Sequence, residues 1–210
     1  MLKKLTEEKL ALILDSATGE FGEKGLSGAS ISGIAKRSHV SVGVIYKYYK
    51  DKDDLFRACL NNSIKNLHSV LSDAFGQTDD TGMIMRSIVT AGVKYAKDHP
   101  QEIRMYHEIT AAENSSFAKE YAKEIEGETA VLYTDLLNKS KEHGVRLPKG
   151  AHPASFAFFF DNLLMMLHFS LSCEYYKERM HLYLGNMEED FLVSQLLLLL
   201  NRFFVSSEEA

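Results

Sequence analysis

Residues 30–55, SISGIAKRSHVSVGVIYKYYKDKDDL, constrain the fold of this chain more than any other stretch. They read as two short helices joined by a tight turn, followed at once by a basic, aromatic-rich step into a further helix. Ser30 opens the first helix, and Ile34 and Ala35 lie on its buried side. Val40 is the apolar plug of the turn. Ser41 offers a natural N-cap for a second helix that begins Val42-Gly43-Val44-Ile45-Tyr46-Lys47-Tyr48-Tyr49. In a helix-turn-helix, the N-terminal part of the second helix enters the DNA major groove while the first helix crosses the backbone. Between residues 30 and 52 the positive side chains are Lys36, Arg37, Lys47, Lys50 and Lys52, opposed by Asp51 alone.

The charge of the whole chain, −5, is divided unevenly. Residues 1–66 hold 11 Lys and Arg against 8 Asp and Glu, and the remainder holds 13 against 21. The phosphate-attracting surface is therefore expected at the N-terminus, and an acidic remainder favours a single docking face.

Beyond this segment the periodicity is helical throughout, and no run reads as a strand. Leu10, Ile13, Leu14, Ala17 and Phe21 predict a helix over residues 6–23 that Gly25 ends. Leu55, Phe56, Leu60, Ile64, Leu67 and Leu71 predict another over 52–74. After the loop 76–82, helices are expected over 81–97, 102–112, 116–142, 153–179 and 188–204, with Asp98-His99-Pro100 as a break and Pro153 in a first turn. The last two carry Phe156, Phe158, Phe159, Phe160 and Leu163 to Leu167 apart from two methionines, then Leu196 to Leu200 without interruption. Helices without a wet face are central to their own domain or covered by another chain. Asp161, Asn162, His168, Gln195 and Asn201 interrupt them, so neither reads as a membrane span. Cys59 and Cys173 show no metal or disulfide spacing and are expected as reduced, packed thiols.

The segment around residues 30–55 resembles the tetracycline-repressor (TetR) family of one-component bacterial transcription regulators. The matches are Ser30, Ile34-Ala35, Val40-Ser41, Gly43, Ile45-Tyr46, Tyr48-Tyr49 and Lys52-Asp53-Asp54-Leu55, with Phe21 and Gly25-Leu26 where that family ends its first helix. Ser38 stands where a small apolar residue is usual, and His39 where glycine is usual. Histidine is among the non-glycine residues that accept a left-handed conformation.

The resemblance implies an all-α fold of nine helices, with residues 1–52 as a three-helix DNA-binding domain and 53–210 as a six-helix ligand-binding and dimerisation domain. It implies a regulator, a repressor released from double-stranded operator DNA by a small molecule. The residues expected at DNA are Ser32, Ser41, Val42, Gly43, Val44, Tyr46, Lys47, Tyr48 and Lys52. Those expected around a largely apolar, aromatic or cationic effector are Tyr95, Met105, Tyr106, Phe117, Tyr121, Met165 and His168, with Asn114 and Asn162 as further polar groups. The last two helices would pair across a two-fold axis in a homodimer. A cytoplasmic location, no cofactor and no metal complete the expectation. An all-helical enzyme, or a DNA-binding protein on the same fold that ignores ligands, is the second reading. No phosphate loop, HExxH or nucleophile motif supports the enzyme.

Overall fold

The structure is a computed structural model that describes residues 5–76, 80–111, 116–142, 145–147, 149–186, 188–201 and 205–206. The N-terminal elements are α1 (Glu7–Gly28), α2 (Ile31–Arg37) and α3 (Val42–Tyr48). The body follows as α4 (Lys52–Phe75), α5 (Thr81–Asp98), α6 (Pro100–Ala111), α7 (Ser116–Glu142), α8 (Pro153–Ser172), α9 (Glu174–Leu184) and α10 (Glu189–Asn201). Among the described residues there are thus ten helices, not nine. There is also a two-residue antiparallel ladder, β1 (Val145–Arg146) against β2 (Val205–Ser206), which sequence patterning did not anticipate.

Local chemistry sets these boundaries. Thr6 caps α1 by accepting from the Lys9 N–H, Asp51 caps α4 through the Asp54 N–H at 2.8 Å, and Asp80 caps α5 through the Met83 N–H at 2.8 Å. Gly25 breaks the α1 backbone at φ 70, near its expected end. The unforeseen division between α8 and α9 lies at Cys173, whose backbone is extended. No glycine or proline marks it. Tertiary bonds hold it instead: the Ser172 hydroxyl donates to the Ala96 carbonyl at 2.9 Å, and Arg104 Nε donates to the Ser172 carbonyl at 2.8 Å.

Two large apolar cores, with a smaller third cluster of Tyr95, Ala96, Ile103, Phe169 and Cys173, organise the described residues. The first joins Ile13, Ala17, Phe21, Ile34, Ile45, Leu55 and Phe56, but it also takes in Met105 and Ile109 of α6 and Tyr121 of α7. The second packs α5, α7, α8 and α10 together through residues such as Ile88, Leu136, Phe160 and Leu197. α4 enters both cores, with Leu55 in one and Leu71 in the other, and no linker divides them. α6 lies tightly under α1. A Cβ on Gly22 would meet the Gln101 carbonyl at 2.7 Å, and Glu108 accepts from the Leu26 N–H at 2.8 Å.

α8 is long and apolar enough to cross a membrane by length and composition. However, Phe156, Phe160, Leu164 and Leu167 bury one of its faces in the second core. α10 likewise buries Val193, Leu197 and Leu200. Neither helix is uniformly covered: Phe158, Phe159 and Leu163 of α8 and Phe191, Leu198 and Leu199 of α10 remain exposed.

Candidate DNA-reading surface and interior cavity

The turn between α2 and α3 is a Schellman closure. Val40 N–H donates to the Ala35 carbonyl at 3.0 Å and His39 N–H to the Lys36 carbonyl at 3.4 Å. That closure requires a left-handed residue between helix and return, and His39 supplies it at φ 53. Ser38 is wholly buried, yet its hydroxyl donates to the Ile34 carbonyl at 2.8 Å, so the polar atom has a partner. Both departures from the family pattern therefore fit the turn. Ser30 caps α2 by accepting from Gly33 N–H at 3.1 Å.

Behind the turn lies a buried carboxylate. Glu20 is 1% exposed and sits between Lys24 at 2.7 Å, Arg37 at 3.3 Å and the Ser30 N–H at 3.4 Å. Burial raises its pKa, but the Lys24 bond, the Ser30 amide and the Arg37 charge outweigh it and leave the group lowered. Arg37 also pairs with Glu23, so this cation is committed to α1. A Cβ on Gly33 would come within 2.5 Å of the Glu20 carboxylate.

On α3, Ile45 is fully buried, and its helical neighbours divide into two faces. Val42, Gly43, Tyr46 and Lys47 are exposed, together with Ser32 of α2 and Ser41. Ser41 occupies the N-cap position as expected, but its side chain makes no capping hydrogen bond. Three further residues expected at DNA are half-buried and engaged within the chain. Val44 packs on the first core, and the Tyr48 hydroxyl accepts from the Leu5 N–H at 2.7 Å. Lys52 donates to the Ser27 and Ala29 carbonyls at 3.3 and 3.1 Å. Gly43 is different: a Cβ there would meet nothing nearer than the Ser41 hydroxyl at 4.0 Å. Packing within the chain does not require a glycine at this position.

The interior cavity lies where α4, α5, α6, α7 and α8 converge, and measures about 840 Å³ with its open mouth included. Leu60, Ile64, Leu67 and Leu71 of α4 form one apolar wall, with Ile103 and Leu164 opposite. Of the residues expected around an effector, Tyr95, Tyr106, Met165 and His168 line it. Met105 and Tyr121 do not, because they are buried in the first core between α6, α7 and the N-terminal helices. Asn162 returns its amide to the Phe158 carbonyl at 2.7 Å. Asn114 and the Phe117 side chain lie outside the described residues.

Sequence reasoning did not place Glu102 and Glu126 in this cavity. Glu102, Glu126 and Asp161 line it, and each accepts from a tyrosine: Tyr95 to Glu102, Tyr106 to Glu126 at 3.1 Å and Tyr133 to Asp161 at 3.2 Å. Burial, and then the neighbouring Glu126 carboxylate, push Asp161 up to about 7. Burial foremost, with the carboxylates adding to it, keeps all three phenols well above their usual range and hence as donors. His168 is buried, and its Nε2 has no hydrogen-bond partner; burial lowers it to about 4, so it is neutral near pH 7. The only available signal was helical spacing, which sets Glu126 and Tyr133 two turns apart on one face of α7.

These features define a class: a helix-turn-helix head continuous with a helical body that encloses a cavity. Residues 13–59 match the model of the bacterial regulatory proteins of the tetR family. The HTH-type transcriptional regulator HbdR of Aromatoleum sp. (strain CIB) is 42% identical over 59 residues, which is 28% of this chain and only 26% of that protein. Fold similarity extends much further. The fatty acid degradation regulator FadR from Bacillus halodurans aligns over 94% of this chain and 96% of its own at TM-score 0.71 and 20% identity. FadR from Bacillus subtilis, in complex with stearoyl-CoA, aligns over 91% and 97% at TM-score 0.73 and 14% identity. The matched segment is of tetR type, and over most of its length the chain shares the fold of these two structures.

Proposed function

We propose that this protein is a DNA-binding transcriptional regulator, a repressor, whose grip on its operator is released by a small molecule bound in the interior cavity. The observation that carries the reading is Gly43. It lies on the exposed face of the second helix of a closed helix-turn-helix, where the protein's own packing has no use for a glycine. Close approach of a DNA backbone or base edge does have such a use. Val42 would meet thymine methyls, Lys47 would reach a guanine edge, and the Ser32 and Ser41 hydroxyls would donate to phosphates. Val44, Tyr48 and Lys52 serve this surface from behind, by fixing α3 against the core and the chain end.

Coupling runs through α6. Glu102, Ile103 and Tyr106 face the cavity, while Gln101, Met105 and Glu108 of the same helix pack on the N-terminal unit. A compound that shifts α6 therefore moves α1 directly, and α4 through the Leu60–Leu67 wall that both sites share. Coupling of about 1–3 kcal/mol is typical of such arrangements. The exposed stripes of α8 and α10 support a homodimer across a two-fold axis, with each copy covering the other's Phe158, Phe159, Leu198 and Leu199. Residues 1–52 then serve as the DNA-binding part and 53–210 as the effector and dimerisation part, in a cytoplasmic protein without catalytic activity. The test is fluorescence anisotropy with the DNA flanking its own gene and a scrambled duplex of equal length, at one fixed salt concentration. Preference for the flanking DNA by about a thousandfold or more is expected; equal affinity would refute sequence reading.

A further inference from the structure

The cavity is apolar over most of its wall, yet carboxylates stand out among its polar groups. Three carboxylates, Glu102, Glu126 and Asp161, face it from α6, α7 and α8, and no lysine or arginine among the described residues lines it. An anionic head group would have no cationic partner there. Each carboxylate is already oriented by a tyrosine, and Tyr106 and Tyr133 present aromatic surface beside the Glu126 and Asp161 carboxylates. The His168 ring, seven per cent exposed, adds a neutral polar wall whose buried Nε2 has no partner. Asp161, half-buried in an apolar recess beside the exposed Glu126 and edged by tyrosine rings, has the chemistry that receives a cation carrying an apolar body.

We propose that the effector is an organic cation with an apolar body, its positive head seated between Glu126 and Asp161 and its body along the α4 wall. The effect on DNA rests on the regulator reading above, whereas the binding itself does not. Burial, and then the neighbouring Glu126 carboxylate, push Asp161 up to about 7, so near neutral pH it is partly protonated. A bound cation takes that proton's place. The remaining titratable groups facing Asp161 are Tyr133 of α7, Tyr106 and Glu102 of α6, Tyr95 of α5, His68 of α4 and His168 of α8. The tyrosines stay protonated and His168 stays neutral, and Asp161, raised to about 7, ties cation binding to pH between 6 and 8. Affinity should consequently rise with pH, at most about tenfold per unit, until Asp161 is ionised without ligand.

Isothermal titration of the full chain with decyltrimethylammonium, decanoate and decanol isolates the head group on a constant tail. The ammonium is expected to bind about tenfold or more tightly than either companion, and more tightly at pH 8 than at pH 6. Glu126→Gln with Asp161→Asn should remove that preference and its pH dependence. If this variant does not fold, the head-group series and its pH dependence on the natural chain still decide. Decanoate binding as tightly as the ammonium, no binding of the ammonium, or a folded variant with unchanged preference would each overturn the inference. Anisotropy on the flanking DNA, read in the same samples, separates the two claims. DNA retention without ammonium preference overturns this inference and leaves the regulator, and ammonium preference without DNA retention does the reverse.

Discussion

Replacing Gly43 and Gly33, one at a time, by alanine separates what the helix-turn-helix needs in order to fold from what it needs in order to read DNA. Both glycines lie in short helices, and in neither does φ demand a glycine. At position 43 the new methyl enters open space, with nothing nearer than 4.0 Å. Gly43→Ala should therefore stabilise the free protein by about 0.5–1 kcal/mol, the ordinary gain of alanine over glycine in a helix. At position 33 the methyl would stand 2.5 Å from a Glu20 oxygen and 2.9 Å from its Cδ. The carboxylate can yield only by giving up contacts to Lys24, Arg37 or Ser30, and bonds to charged groups contribute about 1.5–3 kcal/mol each. Losing one or two of these, offset by about 1 kcal/mol of helix propensity, leaves Gly33→Ala destabilised by roughly 0.5–5 kcal/mol. Urea denaturation measures both variants, and anisotropy on flanking DNA measures the consequence. Gly43→Ala should bind DNA at least about tenfold more weakly despite its greater stability, the trade expected when a residue is kept for function. A Gly43→Ala protein that is both more stable and fully able to bind DNA would refute the reasoning. So would a Gly33→Ala protein as stable as the parent.

Further outcomes follow from the same geometry. Leu198→Glu with Leu199→Glu should give a folded monomer by sedimentation, because both side chains are exposed in the single chain, whereas Leu197→Ala should lower stability by about 2–5 kcal/mol because it is buried. Lys47→Ala should reduce preference for flanking over random DNA, while Lys52→Ala should lower the denaturation midpoint, since its ammonium holds the Ser27 and Ala29 carbonyls. Stability should fall in acid as Glu20 is protonated: its folded pKa is lowered, so its contribution is present above the unfolded value and is lost as pH falls through the folded one. Glu20→Gln should flatten that acid limb in a pH series of melts.

The helices of the head were legible because each boundary is written locally, in Ser30, Asp51, Gly25 and the Val40 plug. The turn was legible too, down to the left-handed His39, since a Schellman closure leaves one position for such a residue. The break at Cys173 was not, because its cause is a pair of hydrogen bonds from α5 and α6 that no neighbouring residue announces. Inward and outward faces were harder still. Leu196 to Leu200 is uniformly apolar, and only its docking on α5 separates buried Leu197 and Leu200 from exposed Leu198 and Leu199. Lys52 and Tyr48 have the chemistry of DNA contacts and were assigned by type. Their hydrogen bonds to main chain 23 to 43 residues away redirect them. The carboxylates of the cavity were hidden for a similar reason, since Glu102, Glu126 and Asp161 come from three helices and converge only in space.

The central claim is that this chain reads DNA as a symmetric pair of α3 helices. Hydroxyl-radical footprinting on the DNA flanking its own gene tests it most directly. The account predicts two related protected half-sites on one face of the duplex, with centres one helical turn of about 10–10.5 base pairs apart or a multiple of it. Protection should be lost in the Leu198→Glu, Leu199→Glu monomer. A single unpaired footprint, or uniform protection without half-sites, would contradict it.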